Sequence, residues 1–176
     1  MRTECINHRY VYDGPMQVGR LVLQVADKSQ LGTQRAGSRP YGVGLLVIGA
    51  DQTGPHLYET QPSGQYFEYL GMAIGARSQA GRTYLEKHFE EFAELPLEQL
   101  VTHAVLALRE TLGSGTELSS NNVAVGYVGG DHKFTILEDD LVQPYIDAVK
   151  KPDDAPAAAP DAPADAPADA AMDTGS

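Results

Sequence analysis

The segment 39–51, RPYGVGLLVIGAD, constrains the fold more than any other part of the chain. It joins a basic turn to a run that is apolar at odd and even positions alike. Alternate residues of a β-strand point to opposite faces, so such a run predicts a strand that needs cover on both sides. Gly42 and Gly44 lie two apart and share one face, where missing side chains let a backbone or helix come close. Val43, Leu45 and Val47 fill the other face.

The flanking patterns predict where that cover comes from. Upstream, residues 3–12 and 18–26 read as two helices parted by Gly14-Pro15, with Val18, Val22, Val25 and Ala26 on one side of the second. Downstream, Asp51-Gln52-Thr53-Gly54 turns the chain into a strand over 56–60. Pro62-Ser63-Gly64 turns it again into a third strand over 65–74. Short loops join antiparallel neighbours, so the three strands predict a meander. A helix follows with Ser78 as N-cap and Tyr84, Leu85, His88, Phe89 and Phe92 as its buried stripe. Another starts at Pro96, repeats Leu97, Leu100, Val101, Ala104, Val105, Leu108 and Leu112 at spacings of three and four, and closes at Gly113. Residues 122–128 and 134–137 predict a hairpin about Gly129-Gly130-Asp131. Glu138, Asp139 and Asp140 open a last helix over 141–149, with Pro144 tolerated in its first turn. The order predicts an α+β fold in which a sheet lies between helices.

With 42% hydrophobic and 21% charged residues among 176, the chain has enough apolar material for one domain with a real core. A net charge of −11 argues against nucleic acid or an anionic membrane as partner. Cys5 is the sole cysteine, which excludes an intrachain disulfide and a thiolate metal cage and suits a reducing compartment. His8, His56, His88, His103 and His132 form no H-x-x-x-H pair, so neither a metal nor a cofactor is expected. No apolar run approaches the ~20 residues of a membrane span, and Met1-Arg2-Thr3-Glu4-Cys5 lacks a signal-peptide core. Cytoplasm and nucleus are the expected locations. The domain is expected over 1–150. Residues 151–176, nearly all Ala, Pro and Asp with a period of four from Asp161, predict a disordered acidic tail that solubilises or docks on a basic partner.

Candidate chemistry is sparse. Threonine catalysis needs the residue freed as a new N-terminus so that its amine serves as base. Thr3 falls inside a predicted helix without a preceding glycine for cleavage, and Cys5 reads as a small buried thiol. No catalytic residue is assigned. Asp139 and Asp140 suit a helix N-terminus better than a metal. Gly42-Val43-Gly44 is a fragment of a nucleotide fingerprint in the wrong setting, and Gly71 to Ser78 lacks a Walker lysine. Arg35, Arg39, Arg77 and Arg82 read as subunit contacts or surface ion pairs.

Several ordered segments resemble those of proteasome alpha subunits. They are Arg39-Pro40-Tyr41-Gly42-Val43-Gly44-Leu45-Leu46, Gly54-Pro55-His56-Leu57-Tyr58, Pro62-Ser63-Gly64-Gln65-Tyr66-Phe67, the run IGARSQAGRTYLE over 74–86, and Ala107-Leu108-Arg109-Glu110-Thr111-Leu112. The resemblance implies an αββα sandwich of the N-terminal-nucleophile hydrolase type. It implies a non-catalytic subunit in a seven-membered ring of alpha subunits, seated on the catalytic beta subunits and met by activators or the regulatory particle. That ring admits substrates in ubiquitin-dependent protein degradation. The helix over 3–12 corresponds to the family helix that docks the alpha ring on the beta ring, which makes Asn7, His8 and Tyr10 interface candidates, with Arg39 a fourth. The tail is expected outside the particle.

Relatives carry a further segment before the position of Met1. It holds the gating tail, a helix, two strands and the lysine of the activator pocket. Its absence predicts an unpaired sheet edge and an incompletely covered apolar face. It also predicts a native subunit longer than this 18.9 kDa chain. Two other readings stay open: a catalytic N-terminal-nucleophile hydrolase subunit, which needs a processed Thr, Ser or Cys, and a free truncated isoform with a binding role.

Overall fold

A computed structural model describes residues 1–113, 118–129 and 132–150. The predicted tail and the tip of the second hairpin, Gly130 and Asp131, lie outside the described residues.

Helix α1 spans Arg2–Tyr12 and ends on Asp13, a residue type that tolerates the left-handed conformation it adopts (φ 53°). Helix α2 spans Val18–Gln34, eight residues beyond the predicted end at 26. Ser29, Gly32 and Thr33 are poor helix formers, which hid the extension from pattern reading. Packing overrides them. Ser29 is buried and its hydroxyl donates to the Val25 carbonyl (3.0 Å), while Gly64 of the second turn lies hard against Ala26 and Gln30.

Strands β1 (Leu45–Asp51), β2 (Gly54–Thr60) and β3 (Tyr66–Glu68) form the expected antiparallel meander in the order β1-β2-β3. Two expectations need correction. Residues 39–44 are not in the strand, so Gly42 and Gly44 do not sit on a sheet face, and the third strand stops at Glu68 rather than reaching 74. Nor is β1 covered on both sides. Leu45, Val47 and Gly49 face α2 and are half-buried, whereas Leu46, Ile48 and Ala50 are exposed.

Helix α3 (Ser78–His88) is preceded by Arg77 in the left-handed conformation, so Ser78 is its first residue rather than its cap. The expected stripe is only half realised. Phe89 and Phe92 lie past the helix end, and Gly81 is the buried residue of α3, pressed against Ala107 and Thr111 of α4. Helix α4 (Leu97–Thr111) matches its predicted span. The hairpin of β4 (Val125–Gly129) and β5 (His132–Leu137) follows, with strands displaced by up to three residues from the prediction. Asp139–Leu141 form a short 3-10 turn ahead of α5 (Gln143–Lys150), whose second residue is Pro144.

The main core lies at this end of the molecule. Val101 and Val105 of α4, Val142, Ile146 and Val149 around α5, and Leu118 and Val123 ahead of β4 pack together, with Val125 and Leu137 of the hairpin against them. On the other side, α2 covers one face of the meander. At the opposite face, Gly129 of β4 approaches Pro55 and Ala50. Reading across the molecule, α2, the meander, the hairpin and α4/α5 therefore follow in the layer order α-β-β-α, and the fold is α+β.

Candidate functional site

Helix α1 buries none of its residues. Tyr10 is 91% exposed, and Ile6, Val11 and Tyr12 are each more than 60% exposed. A run of large apolar and aromatic side chains open to water marks an interaction surface rather than a folding element. Helix α1 is held to α2 at both ends. Glu4 and Lys28 pair at 2.5 Å, and the Lys28 hydrogen bond, aided by its charge, holds the Glu4 carboxyl below its ordinary value. At the far end His8 Nδ1–H donates to the Gly14 carbonyl (3.3 Å) and its ring lies against Tyr12, over which Arg20 stacks.

Of the four interface candidates, Asn7 and Tyr10 lie on exposed positions of α1. His8 is half-buried and closes the turn after the helix. Arg39 is elsewhere. His8 lines a cleft with Tyr12, Arg20 and Asp51, whereas Arg39 lines a separate one with Lys28, Arg35 and Tyr41. Pattern reading did not reach Ile6, Val11 and Tyr12. Nothing in a helical pattern tells a face that awaits a partner chain from one that awaits its own core.

The α1–α2 unit is fastened to the sheet by a polar knot. The Val18 N–H, an unpaired donor at the start of α2, donates to Asp51 Oδ2 (3.1 Å), so a carboxylate from the end of β1 acts as the helix cap. Asp51 Oδ1 accepts from the Thr53 amide (2.8 Å) and hydroxyl (2.5 Å) and from His56 Nε2 (3.1 Å). His56 Nδ1 donates to Glu68 Oε1 (2.5 Å), and the Tyr58 hydroxyl donates to Glu68 Oε2 (3.0 Å). The His56 ring thus links carboxylates from β1 and β3. The Thr53 bonds, ahead of the Val18 and His56 ones, hold the Asp51 carboxyl far below its ordinary range. The hydrogen bond to Glu68 raises His56, and those from His56 and Tyr58 lower Glu68.

These shifts set a pH window. The His56 share of stability is complete below its unfolded value of about 6.5 and fades as pH rises through the raised folded value. The carboxylate share is present above about 4 and fades as pH falls through the lowered folded values. In urea titrations of the full chain, the decline in stability as pH rises above about 6.5 is expected to flatten in His56→Gln. An unchanged alkaline limb in that variant would remove His56 from the account.

A second surface lies between the meander and the helix pair. Leu46 and Leu57 face Leu85, Phe92, Leu100 and Leu108 across an open apolar cleft of about 370 Å³. Leu46 and Ile48 on this face of β1 are exposed. Phe134 and Ile136 of β5 are likewise exposed. Thr3 and Cys5 both sit within α1, Thr3 exposed and Cys5 half-buried.

The chain belongs to the proteasome subunit family, whose match spans residues 1–128. Relatives of the alpha type match it over most of its length. It is 54% identical over 151 residues to proteasome subunit alpha type-1 of Dictyostelium discoideum, an overlap of 85% of this chain and 61% of the relative. It is 45% identical to proteasome subunit alpha type-1 of Trypanosoma brucei rhodesiense (89% of this chain, 59% of the relative). Identity is 43% to a probable proteasome subunit alpha type-6 of Schizosaccharomyces pombe (90% and 57%). The chain thus spans about three fifths of the length of these relatives.

Proposed function

We propose that this chain serves as a non-catalytic alpha subunit of the proteasome core particle, in the outer ring that admits substrates during ubiquitin-dependent protein degradation. The observation that carries the reading is the 54% identity over most of the chain to a relative named an alpha type-1 subunit. The geometry supports it. An α-β-β-α layering presents α1 as an exposed ridge carrying Ile6, Tyr10, Val11 and Tyr12, suited to docking on a beta subunit. Its partners on this reading are the other alpha subunits of a seven-membered ring, the beta subunits, and activators or the regulatory particle. Its place is the cytoplasm and nucleus.

The test is native purification of the tagged chain with mass spectrometry of what accompanies it. Alpha and beta subunits are expected in near-equal amounts, and a preparation without beta subunits would overturn the reading. Tyr10→Glu places a charge on the most exposed aromatic of α1. Aromatic anchors contribute about 2 kcal/mol or more to interfaces, so incorporation into particles is expected to fall roughly thirtyfold. Incorporation at the wild-type level would take α1 out of the interface.

A further inference from the structure

We propose, on the reading of α1 as a docking face, that this helix is a hinged arm: it opens and unwinds independently of the core, and docking on the partner subunit orders it. Helix α1 turns its polar side inward. Glu4, Cys5 and His8 are its half-buried residues, and every other residue in it is exposed. These three share one side of the helix, and the Glu4–Lys28 pair fixes that side toward α2. Ile6, Tyr10, Val11 and Tyr12, the side chains that could contribute hydrophobic burial, face water instead. A helix of 11 residues falls short of the ~12–15 at which isolated helices become even marginal in water, so its contacts must hold it.

Those contacts are few and polar. The Glu4–Lys28 pair is open to solvent, with the Lys28 side chain 58% exposed, and pairs of that kind shift an equilibrium by roughly fivefold at most. The Arg20 guanidinium lies 5.6 Å over Tyr12, an exposed contact of similar weight. The bond from His8 to the Gly14 carbonyl joins α1 only to its own linker. An open cleft of about 340 Å³ separates the end of α1 from the β1–β2 turn, with His8, Tyr12 and Arg20 on one side and Ala50, Asp51 and Gln52 on the other. The sheet therefore does not back the helix there.

The seam with α2 also holds an unmet group. Arg20, Gln24 and Lys28 lie four apart on one row of α2, and the outer two reach α1. Between them, Gln24 Oε1 is enclosed and accepts no hydrogen bond among the described residues. Closing the arm strips water from this acceptor without replacing it, which favours opening. Helix α2 is anchored otherwise. It buries Val18, Val22 and Ala26, and Asp51 holds its first turn. The linker over 13–17 is non-helical and carries Gly14, so α1 can leave without α2. A partner that covers Ile6, Tyr10 and Val11 supplies the apolar contact α1 lacks within its own chain. The cost of ordering lowers the apparent affinity in proportion to the fraction of arm that is closed.

Hydrogen exchange read by mass spectrometry, on the full chain purified alone and within particles, tests the proposal. In the free chain, the amides of residues 5–13 are expected to be at least about a hundredfold less protected than those of 101–111 in α4. Lys28→Gln removes the outer clip and is expected to speed exchange over 5–13 about threefold, as is 0.5 M salt on the wild type, with 101–111 unchanged. Gln24→Leu removes the orphaned acceptor and is expected to slow the same amides roughly threefold. In particles, 5–13 are expected to gain at least about a hundredfold in protection. Equal protection of 5–13 and 101–111 in the free chain overturns the arm, as does a response to Lys28→Gln spread evenly over both, or no response to either variant. An arm left unprotected in intact particles overturns its ordering by the partner. A chain that never enters particles removes the assembly reading and the partner's role together, while the free-chain comparison still decides whether the arm opens.

Discussion

Ile146→Ala is expected to cost about 2–5 kcal/mol of stability, the range for truncating a fully enclosed aliphatic side chain. Ile146 has no exposed surface and sits among Val101, Val105 and Val142, between α4 and α5. The cavity left behind cannot close easily. Arg109 Nη1 of α4 donates to the Val149 carbonyl (2.9 Å), which pins the end of α5 to α4 from outside the core. Against a typical domain stability of about 5–15 kcal/mol, such a loss would unfold much of the population on modest warming. Urea midpoints followed by circular dichroism measure it, with Leu141→Ala, exposed on the preceding turn, as a control expected within about 0.5 kcal/mol of wild type. A loss below 1 kcal/mol at Ile146 would place the core elsewhere.

Gly49→Ala is the second large effect, and it works by overfilling. A Cβ at Gly49 would lie 2.6 Å from Val18 Cγ2 and 3.3 Å from Cγ1. Val18 has little freedom to yield, because it is β-branched and its own N–H is held by Asp51 on the same strand as Gly49. The strain is expected to cost about 1–3 kcal/mol, with helix α2 displaced from the sheet. The double variant Val18→Ala/Gly49→Ala moves the methyl group from one partner to the other and should recover most of that loss. If the two single effects simply add in the double variant, the contact is not the cause.

These two sites show how unevenly the fold could be read. Helix α4 was legible because its apolar residues recur at three and four, Pro96 marks its start, and the core it faces rewards that period. Val142, Ile146 and Val149 were legible only as part of a short last helix, and their place as the centre of the core depends on contacts with residues some forty positions earlier. Strand β1 was recognised, but its setting was misjudged. Leu46 and Ile48 promised cover on a second face, and that face is open to the cleft. Apolar character records that a surface needs a partner without saying whether this chain provides it. The polar knot was unreadable for a similar reason. Asp51, His56 and Glu68 are ordinary at their spacings, and only the antiparallel register Gly49↔His56 and Tyr58↔Glu68 brings them within bonding distance.

What the sequence determined by itself is the order of elements, the meander and hairpin, the likeness to proteasome alpha subunits, and the segregation of acidic charge at one end. All of these follow from local period, turn chemistry or motif. The tertiary structure decided which glycine is indispensable, where the core lies, and that α1 stands outside it. Each of these depends on distances between residues remote in the chain. Those distances are fixed by packing, in which helix α2 and the two sheets settle against one another as whole bodies, and no local pattern encodes them.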